Sequence, residues 1–216
     1  MPDPRSPLAL VRIDVPISSL TLTDLSLWVK FQVKAAPDGP IRTALGVPFG
    51  RTTRPAQPGG RAPEPGEPGT SAALFGTLVV GAGPGEWLVL GAPEAAADLR
   101  TALTALTEAS DEFASVVDLT HGRALVRLRG ADSAGLLAKV CAVDLADSVT
   151  PDRSALRCSV ARVVTDVIRD DRPDGTPGYL LHCERSSGQY LAECLLDAGA
   201  EFGITVNPFA HHEDRP

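Results

Sequence analysis

Three side chains near the middle of the sequence could carry chemistry together. Asp118, His121 and Arg123 place an acid, a base and a cation within a few residues of one another. A hydrolase would also need a nucleophile presented on a sharp turn, and the sequence holds no G-x-S-x-G motif. Because closeness in sequence does not make a catalytic triad, we interpret His121 as a solvated residue at a hairpin tip. We expect no catalytic residue in this chain.

A second candidate is the glycine-rich run GAGPG at residues 81–85, which could cradle a phosphate. A phosphate-binding loop works because a helix begins behind it and aims backbone N–H groups at the anion. Here the glycines lead directly into the apolar run EWLVL, which is typical of a strand. We therefore predict a hairpin turn at this position and expect no cofactor bound by this chain.

Cysteine and histidine are the side chains most able to bind a transition metal. The sequence has no C-x-x-C pair, and a zinc site requires closer ligand spacing than its cysteines have. The cysteines are Cys141, Cys158, Cys183 and Cys194, and we interpret them as buried, reduced thiols. His211 and His212 lie in a polar terminal segment, where they would bind a metal only adventitiously. We predict no metal site.

Arginine and tryptophan residues indicate a different activity, which is binding to another protein. Arg123, Arg127 and Arg129 alternate along one predicted strand and therefore share a face. One interpretation is a solvated charged face that pairs with nearby acids. The other is a rim that contacts the carboxylates of an acidic partner protein. Trp87 has the same two interpretations, since a tryptophan is either a core residue or an interface anchor. All four residues are candidate interface residues.

The composition excludes several classes of function. The chain has 216 residues, with 20 basic and 27 acidic side chains and a net charge of -7. Its arginines are scattered rather than concentrated, so nucleic-acid binding is not expected. No apolar run approaches the roughly 20 residues of a membrane span, and the first residues lack the apolar core of a signal peptide. We predict a cytoplasmic protein with no membrane contact.

Residues 115–145 contain the elements that would position these side chains. A short apolar strand at residues 116–119, a turn at residues 121–122 and an alternating strand at residues 123–129 predict a strand pair. Gly130 ends the second strand, and the apolar spacing after it predicts an amphipathic helix. We predict that this strand pair and this helix, lying on one sheet face, form the core element of the protein.

The order of the predicted elements favours an α+β fold. From Glu86 onward the strands and helices form two strand–helix–strand passes joined by a hairpin, which is a split βαβ or ferredoxin-like arrangement. The sheet should be mainly antiparallel, with its helices on one face. We predict N-terminal strands at residues 1–73, including a disordered proline- and glycine-rich loop at 55–69. The main α+β domain would span 74–203, followed by a tail at 204–216.

Four segments resemble, in the same order, the gamma subunit family of heterotetrameric sarcosine oxidase. They are GPGEWLVLG (83–91), SVVDLTHGRALVRLRGADSAGLLAKVCAVDL (115–145), RCSVARVV (157–164) and ERSSGQYLAECLLDAGAEFG (184–203). The resemblance implies a fold related to the folate-binding aminomethyltransferases. It also implies assembly with alpha, beta and delta subunits, which would hold the FAD, FMN, NAD, tetrahydrofolate and zinc. It assigns no catalytic residue to this chain.

From this resemblance we expect a non-catalytic gamma subunit that assembles the flavoprotein subunits. The complex would demethylate sarcosine oxidatively to glycine and pass the one-carbon unit to tetrahydrofolate. An alternative is a stand-alone folate-binding aminomethyltransferase-like enzyme, in which Asp118 or Asp144 would face the pterin or the one-carbon centre. A third hypothesis is a diverged scaffold that serves another amine-oxidising flavoprotein.

Overall fold

The structure, a computed structural model, describes residues 20–54, 74 and 76–207. The chain divides into two compact units. Among the described residues, the first unit consists of residues 20–27 and 121–207, and the second of residues 28–54, 74 and 76–120. These boundaries differ from the predicted ones at residues 73 and 203. The predicted loop at 55–69 lies outside the described residues.

The described residues form eleven β-strands and four α-helices, which is the α+β class that the sequence predicted. The strands are β1 Thr21–Asp24, β2 Val29–Lys34, β3 Thr52–Thr53, β4 Leu78–Gly83, β5 Glu86–Gly91, β6 Ser115–Asp118, β7 Arg123–Arg129, β8 Ala155–Val160, β9 Val163–Arg169, β10 Gly178–Glu184 and β11 Thr205–Asn207. The helices are α1 Pro40–Leu45, α2 Ala96–Glu108, α3 Ser133–Val140 and α4 Gly188–Gly199. No helix in the described part of the chain is long and apolar enough to span a membrane.

A six-stranded sheet in the order β11-β1-β7-β10-β9-β8 forms the first unit. Its neighbouring strands are antiparallel except for β1 and β11, which run parallel. Because β11 begins at Thr205, the segment predicted as a tail at 204–216 starts with a paired strand, and that part of the prediction is wrong. The pairing of β11 joins residues from the two ends of the described chain, so no local sequence pattern reveals it.

The core of the first unit follows from two sequence periods. Ala124, Val126 and Leu128 alternate along β7 and lie in one hydrophobic cluster. Leu136 and Leu137 of α3 enter the same cluster and are fully buried, which stabilises the fold by roughly 2 kcal/mol for each leucine. The strand and helix patterns predicted for these segments are therefore confirmed, and the two helices of this unit pack on the side of the sheet that holds the cluster.

The second unit contains a five-stranded sheet in the order β3-β4-β5-β2-β6, with every neighbouring pair antiparallel. Helix α1 lies between β2 and β4 in the chain, and α2 lies between β5 and β6. The order β6-β2-β5-β4 is therefore that of a split βαβ unit, a motif that the sequence predicted. This unit spans residues 29–118, whereas the prediction placed it from Glu86 onward, so the predicted position is wrong. The Glu112 carboxylate accepts hydrogen bonds from the backbone N–H groups of Ala36 and Ile41, and so holds the start of α1.

The predicted strand pair within residues 115–145 is wrong. Strand β6 pairs with β2 in the second unit, whereas β7 pairs with β1 and β10 in the first. The segment at residues 120–122 therefore connects two sheets and is not a hairpin turn. Two short strands separated by a polar turn have the same sequence pattern whether they pair with each other or join two different sheets. The choice is made by four residue pairs between β6 and β2, which lie far apart in the chain.

Candidate functional site

The four candidate interface residues do not lie in one compact unit. Trp87 belongs to β5 of the second unit, where it is 3% exposed and its indole N–H donates to the carbonyl oxygen of Val47 at 3.0 Å. It is a core residue there. Arg123, Arg127 and Arg129 lie on β7 of the first unit. Their role in binding a partner stays a prediction.

The arginine face of β7 is more buried than an exposed charged face would be. Arg127 is 2% exposed, and the neighbouring Leu125 is completely buried. Arg123 is half-buried, and its guanidinium pairs with the Glu184 carboxylate at 2.7 Å. Glu184 lies directly opposite Arg123 on β10. Arg129 is also half-buried, so Arg123 and Arg129 are the parts of this face that solvent reaches.

The predicted cluster of acid, base and cation is likewise divided between the units. Asp118 accepts hydrogen bonds from the Arg100 guanidinium and from the backbone N–H of Thr120. Partial burial raises the pKa of Asp118, but the hydrogen bonds from Thr120 and Arg100 outweigh it and hold the pKa below its usual value. His121 belongs to the first unit and is exposed. Asp118 and His121 therefore belong to different units, and the expectation that this chain holds no catalytic residue stays a prediction.

Sequence reasoning missed a row of charged side chains across β8, β9 and β10. Arg157 lies opposite Asp166, and Asp166 lies opposite His182. The Asp166 carboxylate accepts from Arg157 Nε at 2.6 Å and from His182 Nδ1 at 2.8 Å. We call these three residues the charged row. Their separation in sequence hides the arrangement, because the three residues lie on three different strands.

The charged row is closed to solvent at its inner end. His182 is 3% exposed, whereas the Arg157 side chain is 46% exposed. Burial raises the pKa of Asp166, but the hydrogen bonds from His182 and Arg157 lower it by a larger amount. The net result is a pKa below the usual value, so the carboxylate form is favoured. A buried carboxylate held by two donors can fix three strands in register. This arrangement supports a structural role for the charged row.

The buried side chain of Arg169 holds two loops of the first unit. Arg169 donates to the Asp171 carboxylate, and its Nη1 donates to the carbonyl oxygen of Thr150 at 2.6 Å and pairs with Asp147 at 2.7 Å. The hydrogen bonds to Asp171 raise the pKa of the guanidinium further above its usual value. These contacts join the segments before β8 and after β9 to the end of β9.

The cysteines are free thiols, and the pKa of two of them is raised. All four are free; Cys141 and Cys183 are buried, and Cys158 and Cys194 are half-buried. The Sγ atoms of Cys141 and Cys158 lie 3.5 Å apart. Burial, with the hydrogen bond between the two thiols, raises the pKa of Cys158 to about 12, and burial raises the pKa of Cys183 to about 11. Within the described ranges no three His, Cys, Asp or Glu residues form a group that could hold a metal ion.

An open pocket of about 450 Å³ lies where the end of α3 meets the turn between β8 and β9. We call it the turn pocket. Its lining residues are Ala138, Lys139, Val140, Cys141, Ala142, Ala161, Arg162 and Tyr190. Ala161 and Arg162 form the turn, and both have positive φ, at 49° and 67°. Non-glycine residues rarely adopt this conformation, so a tight turn at this position was not predictable from the residue types.

The fold has relatives among solved structures. The chain superimposes on a chain of heterotetrameric sarcosine oxidase from Corynebacterium sp. U-96, solved in complex with pyrrole 2-carboxylate, with a TM-score of 0.64 and 22% sequence identity. The match covers 87% of this chain and 88% of that one. No protein-family model matches the sequence. No curated protein matches it either.

A second similar structure is the glycine cleavage system aminomethyltransferase T from Bartonella henselae. The TM-score is 0.59, the identity is 18%, and the match covers 88% of this chain. It covers 47% of the aminomethyltransferase, so the chain spans about half the length of that enzyme. The two sheets and the four helices of the described residues therefore form an aminomethyltransferase-like fold, which this chain shares with a chain of heterotetrameric sarcosine oxidase.

Proposed function

We propose that this chain is a gamma-type subunit of a sarcosine-oxidase-type complex and that it acts in assembly. The observation that carries the proposal is the extent of the structural match, which covers 88% of a chain from heterotetrameric sarcosine oxidase. The corresponding share of the aminomethyltransferase is 47%. A match over almost the whole of a sarcosine oxidase chain favours the role of a subunit in such a complex. The aminomethyltransferase, in contrast, has about half of its length outside the match.

The internal contacts of the first unit support a rigid assembly part. The charged row fixes three strands, and Arg169 holds the two loops beside them. These ionisable groups are used for the fold itself. A subunit that positions larger partners needs such a preformed surface, because ordering a flexible surface on binding would cost affinity.

In the proposed complex the redox chemistry belongs to the other subunits. The alpha, beta and delta subunits would bind the FAD, FMN, NAD, tetrahydrofolate and zinc. Sarcosine would be demethylated oxidatively to glycine, with the one-carbon unit passed to tetrahydrofolate. This chain would bury part of its surface against the flavoprotein subunits in the cytoplasm and would supply no catalytic group.

Co-expression tests this proposal. The full chain is produced with the alpha, beta and delta subunits of a sarcosine oxidase from the same organism, and the mass of the product is measured by light scattering after gel filtration. We expect a stable complex that contains all four chains, with sarcosine-oxidising activity that is lost when this chain is omitted. A monomeric chain together with an unaffected activity would overturn the proposal.

The likeness to aminomethyltransferase T supports a second candidate, a stand-alone folate-binding protein. In that case Asp118 or Asp144 would face the pterin. Asp118 is already hydrogen-bonded to Arg100 and Thr120, which would have to release it. Titration calorimetry of the isolated chain with tetrahydrofolate separates the candidates: heat of binding at one site, abolished by Asp118→Asn or Asp144→Asn, would favour the folate-binding protein.

A further inference from the structure

We propose that the turn pocket is the docking site for an extended segment of a partner subunit. This segment would place an apolar side chain in the pocket and a carboxylate against Arg162. The inference rests on the proposed function and adds to it the surface and the chemistry of the contact. None of the four candidate interface residues predicted from the sequence lines this pocket.

The walls of the turn pocket are already built in the unbound chain. The backbone N–H of Ala161 donates to the carbonyl oxygen of Val140 at 2.8 Å, and Cys141 forms a β-bridge with Val160. These bonds join the turn between β8 and β9 to the end of α3. They also hold Ala161 and Arg162 in a backbone conformation that both residues disfavour. Strain of this kind persists where the surroundings fix it, and it is concentrated at functional positions.

The interior of the turn pocket is apolar and accessible. Alanine and valine side chains and the Cys141 thiol form much of the lining, and Tyr190 stands at the side with 51% of its surface exposed. Lys139 does not fill the space, because its Nζ donates to the carbonyl oxygen of Ala198 and to the Glu201 carboxylate. Tyrosine and arginine, which both line this pocket, are enriched at protein interfaces.

Charge decides which partner fits. Arg162 is exposed at the edge of the pocket, and none of the ion pairs among the described residues involves it. The chain as a whole has a net charge of -7, so the exposed guanidinium gives this edge of the pocket a charge opposite to that of the whole chain. A carboxylate can accept two parallel hydrogen bonds from this group. A segment with an apolar residue close to Asp or Glu therefore matches the site better than a basic segment does.

Point variants of the full chain test the inference. Arg162→Glu and Tyr190→Ala are compared with Arg172→Glu and Val149→Ala, which change an exposed arginine and an exposed apolar residue outside the pocket. The affinity of each variant for the co-expressed alpha, beta and delta subunits is measured by biolayer interferometry. We expect the pocket variants to bind at least about 10-fold more weakly and the controls to bind within about 2-fold of the unchanged chain.

A footprint supplies the second measurement. Ala142→Cys places an exposed thiol in the pocket lining, and its labelling by a maleimide is followed by peptide mass spectrometry with and without the partner subunits. We expect labelling to slow at least about 10-fold in the complex, because a docked segment covers the site. Normal binding by both pocket variants, or unchanged labelling in the complex, would overturn the docking site and leave the proposed function intact. Failure of the unchanged chain to bind any of these subunits would overturn both.

Discussion

The two units each contain a hairpin with a two-residue turn, and the two turns are built differently. Pro84 and Gly85 join β4 to β5, and glycine occupies the position with positive φ, at 66°. Ala161 and Arg162 join β8 to β9, and both carry positive φ without being glycine. The first turn has the residues that its conformation requires, whereas the second is held by its contact with Val140. Local preference explains one hairpin, and tertiary contacts explain the other.

The strands of the two hairpins differ in the same way. In the β4–β5 hairpin, buried apolar residues face each other across the strands, for example Val80 opposite Leu88. In the β8–β9 hairpin, Arg157 faces Asp166, and the charged row continues to His182 on β10. Both hairpins bury apolar side chains, such as Val160 and Val167 in the second, but only the second adds the paired charges of Arg157 and Asp166. The turn pocket lies at the second hairpin.

Gly85→Ala should have the largest effect on stability, because it disrupts the Pro84-Gly85 turn between β4 and β5. The added Cβ would lie 2.3 Å from the carbonyl oxygen of Ala35, at a residue that already has positive φ. We expect the free energy of unfolding to fall by about 3 kcal/mol, measured by urea titration. Gly175→Ala is the matched control, since it has positive φ but no atom within 4 Å of the added Cβ, and it should lose only about 1 kcal/mol. Equal losses would show that the contact with Ala35 is irrelevant.

Asp166→Asn tests whether the charged row stabilises the second hairpin. Asparagine keeps the shape of the side chain but removes the charge that accepts from Arg157 and His182. We expect a loss of about 2 kcal/mol in the free energy of unfolding. Asp197→Asn, at an exposed position on α4, is the control and should change the stability much less. A loss in stability no larger than that of the control would show that the charged row does not stabilise this hairpin.

The same variant gives a pH dependence of known sign. The pKa of Asp166 is lower in the folded chain than in the unfolded chain, where it is about 3.9. A lowered carboxyl pKa stabilises the fold above the unfolded value, and this stabilisation is lost as the pH falls through the folded value. The difference between the unchanged chain and Asp166→Asn should therefore shrink as the pH falls below about pH 4. A difference that stays the same or grows below about pH 4 would contradict this.

Replacing Ala161 by Asn and Arg162 by Gly would give the second hairpin the turn residues that its conformation favours. We expect the free energy of unfolding to rise by about 1 kcal/mol, measured by thermal or urea denaturation, because the strain at both positions is relieved. The same variant loses the guanidinium proposed to bind the partner, so its affinity for the partner subunits should fall. A variant that is no more stable than the unchanged chain would show that the turn is not strained.

Arg123→Ala should have the smallest effect on stability. Arg123 pairs with Glu184, whose side chain is 61% exposed, so the pair resembles a surface salt bridge rather than the charged row. We expect a loss of less than about 1 kcal/mol in the free energy of unfolding. Since Arg123 is also a predicted interface residue, its affinity for the partner subunits is measured on the same sample. A loss as large as that of Asp166→Asn would show that the exposed Arg123–Glu184 pair stabilises the fold as much as the charged row does.

Much of the local structure was predictable from the sequence. The alternation of β7 placed Ala124, Val126 and Leu128 on the core face, and apolar spacing predicted the helix after Gly130. The Pro84-Gly85 turn was predictable because proline and glycine restrict the backbone in a known way. These features depend on neighbouring residues, so a single sequence contains the information they need. The resemblance to the sarcosine oxidase gamma subunit indicated the fold class correctly.

Tertiary structure alone decided which strands pair and which charged groups meet. Strand β6 leaves β7 and joins β2, and Arg157, Asp166 and His182 meet although they come from three strands. The turn at Ala161 and Arg162 exists against the preference of both residues, since contacts with the end of α3 hold it. Local propensity contributes fractions of a kcal/mol per residue, and burial and pairing between distant segments outweigh it. The pocket proposed to bind a partner results from such distant contacts.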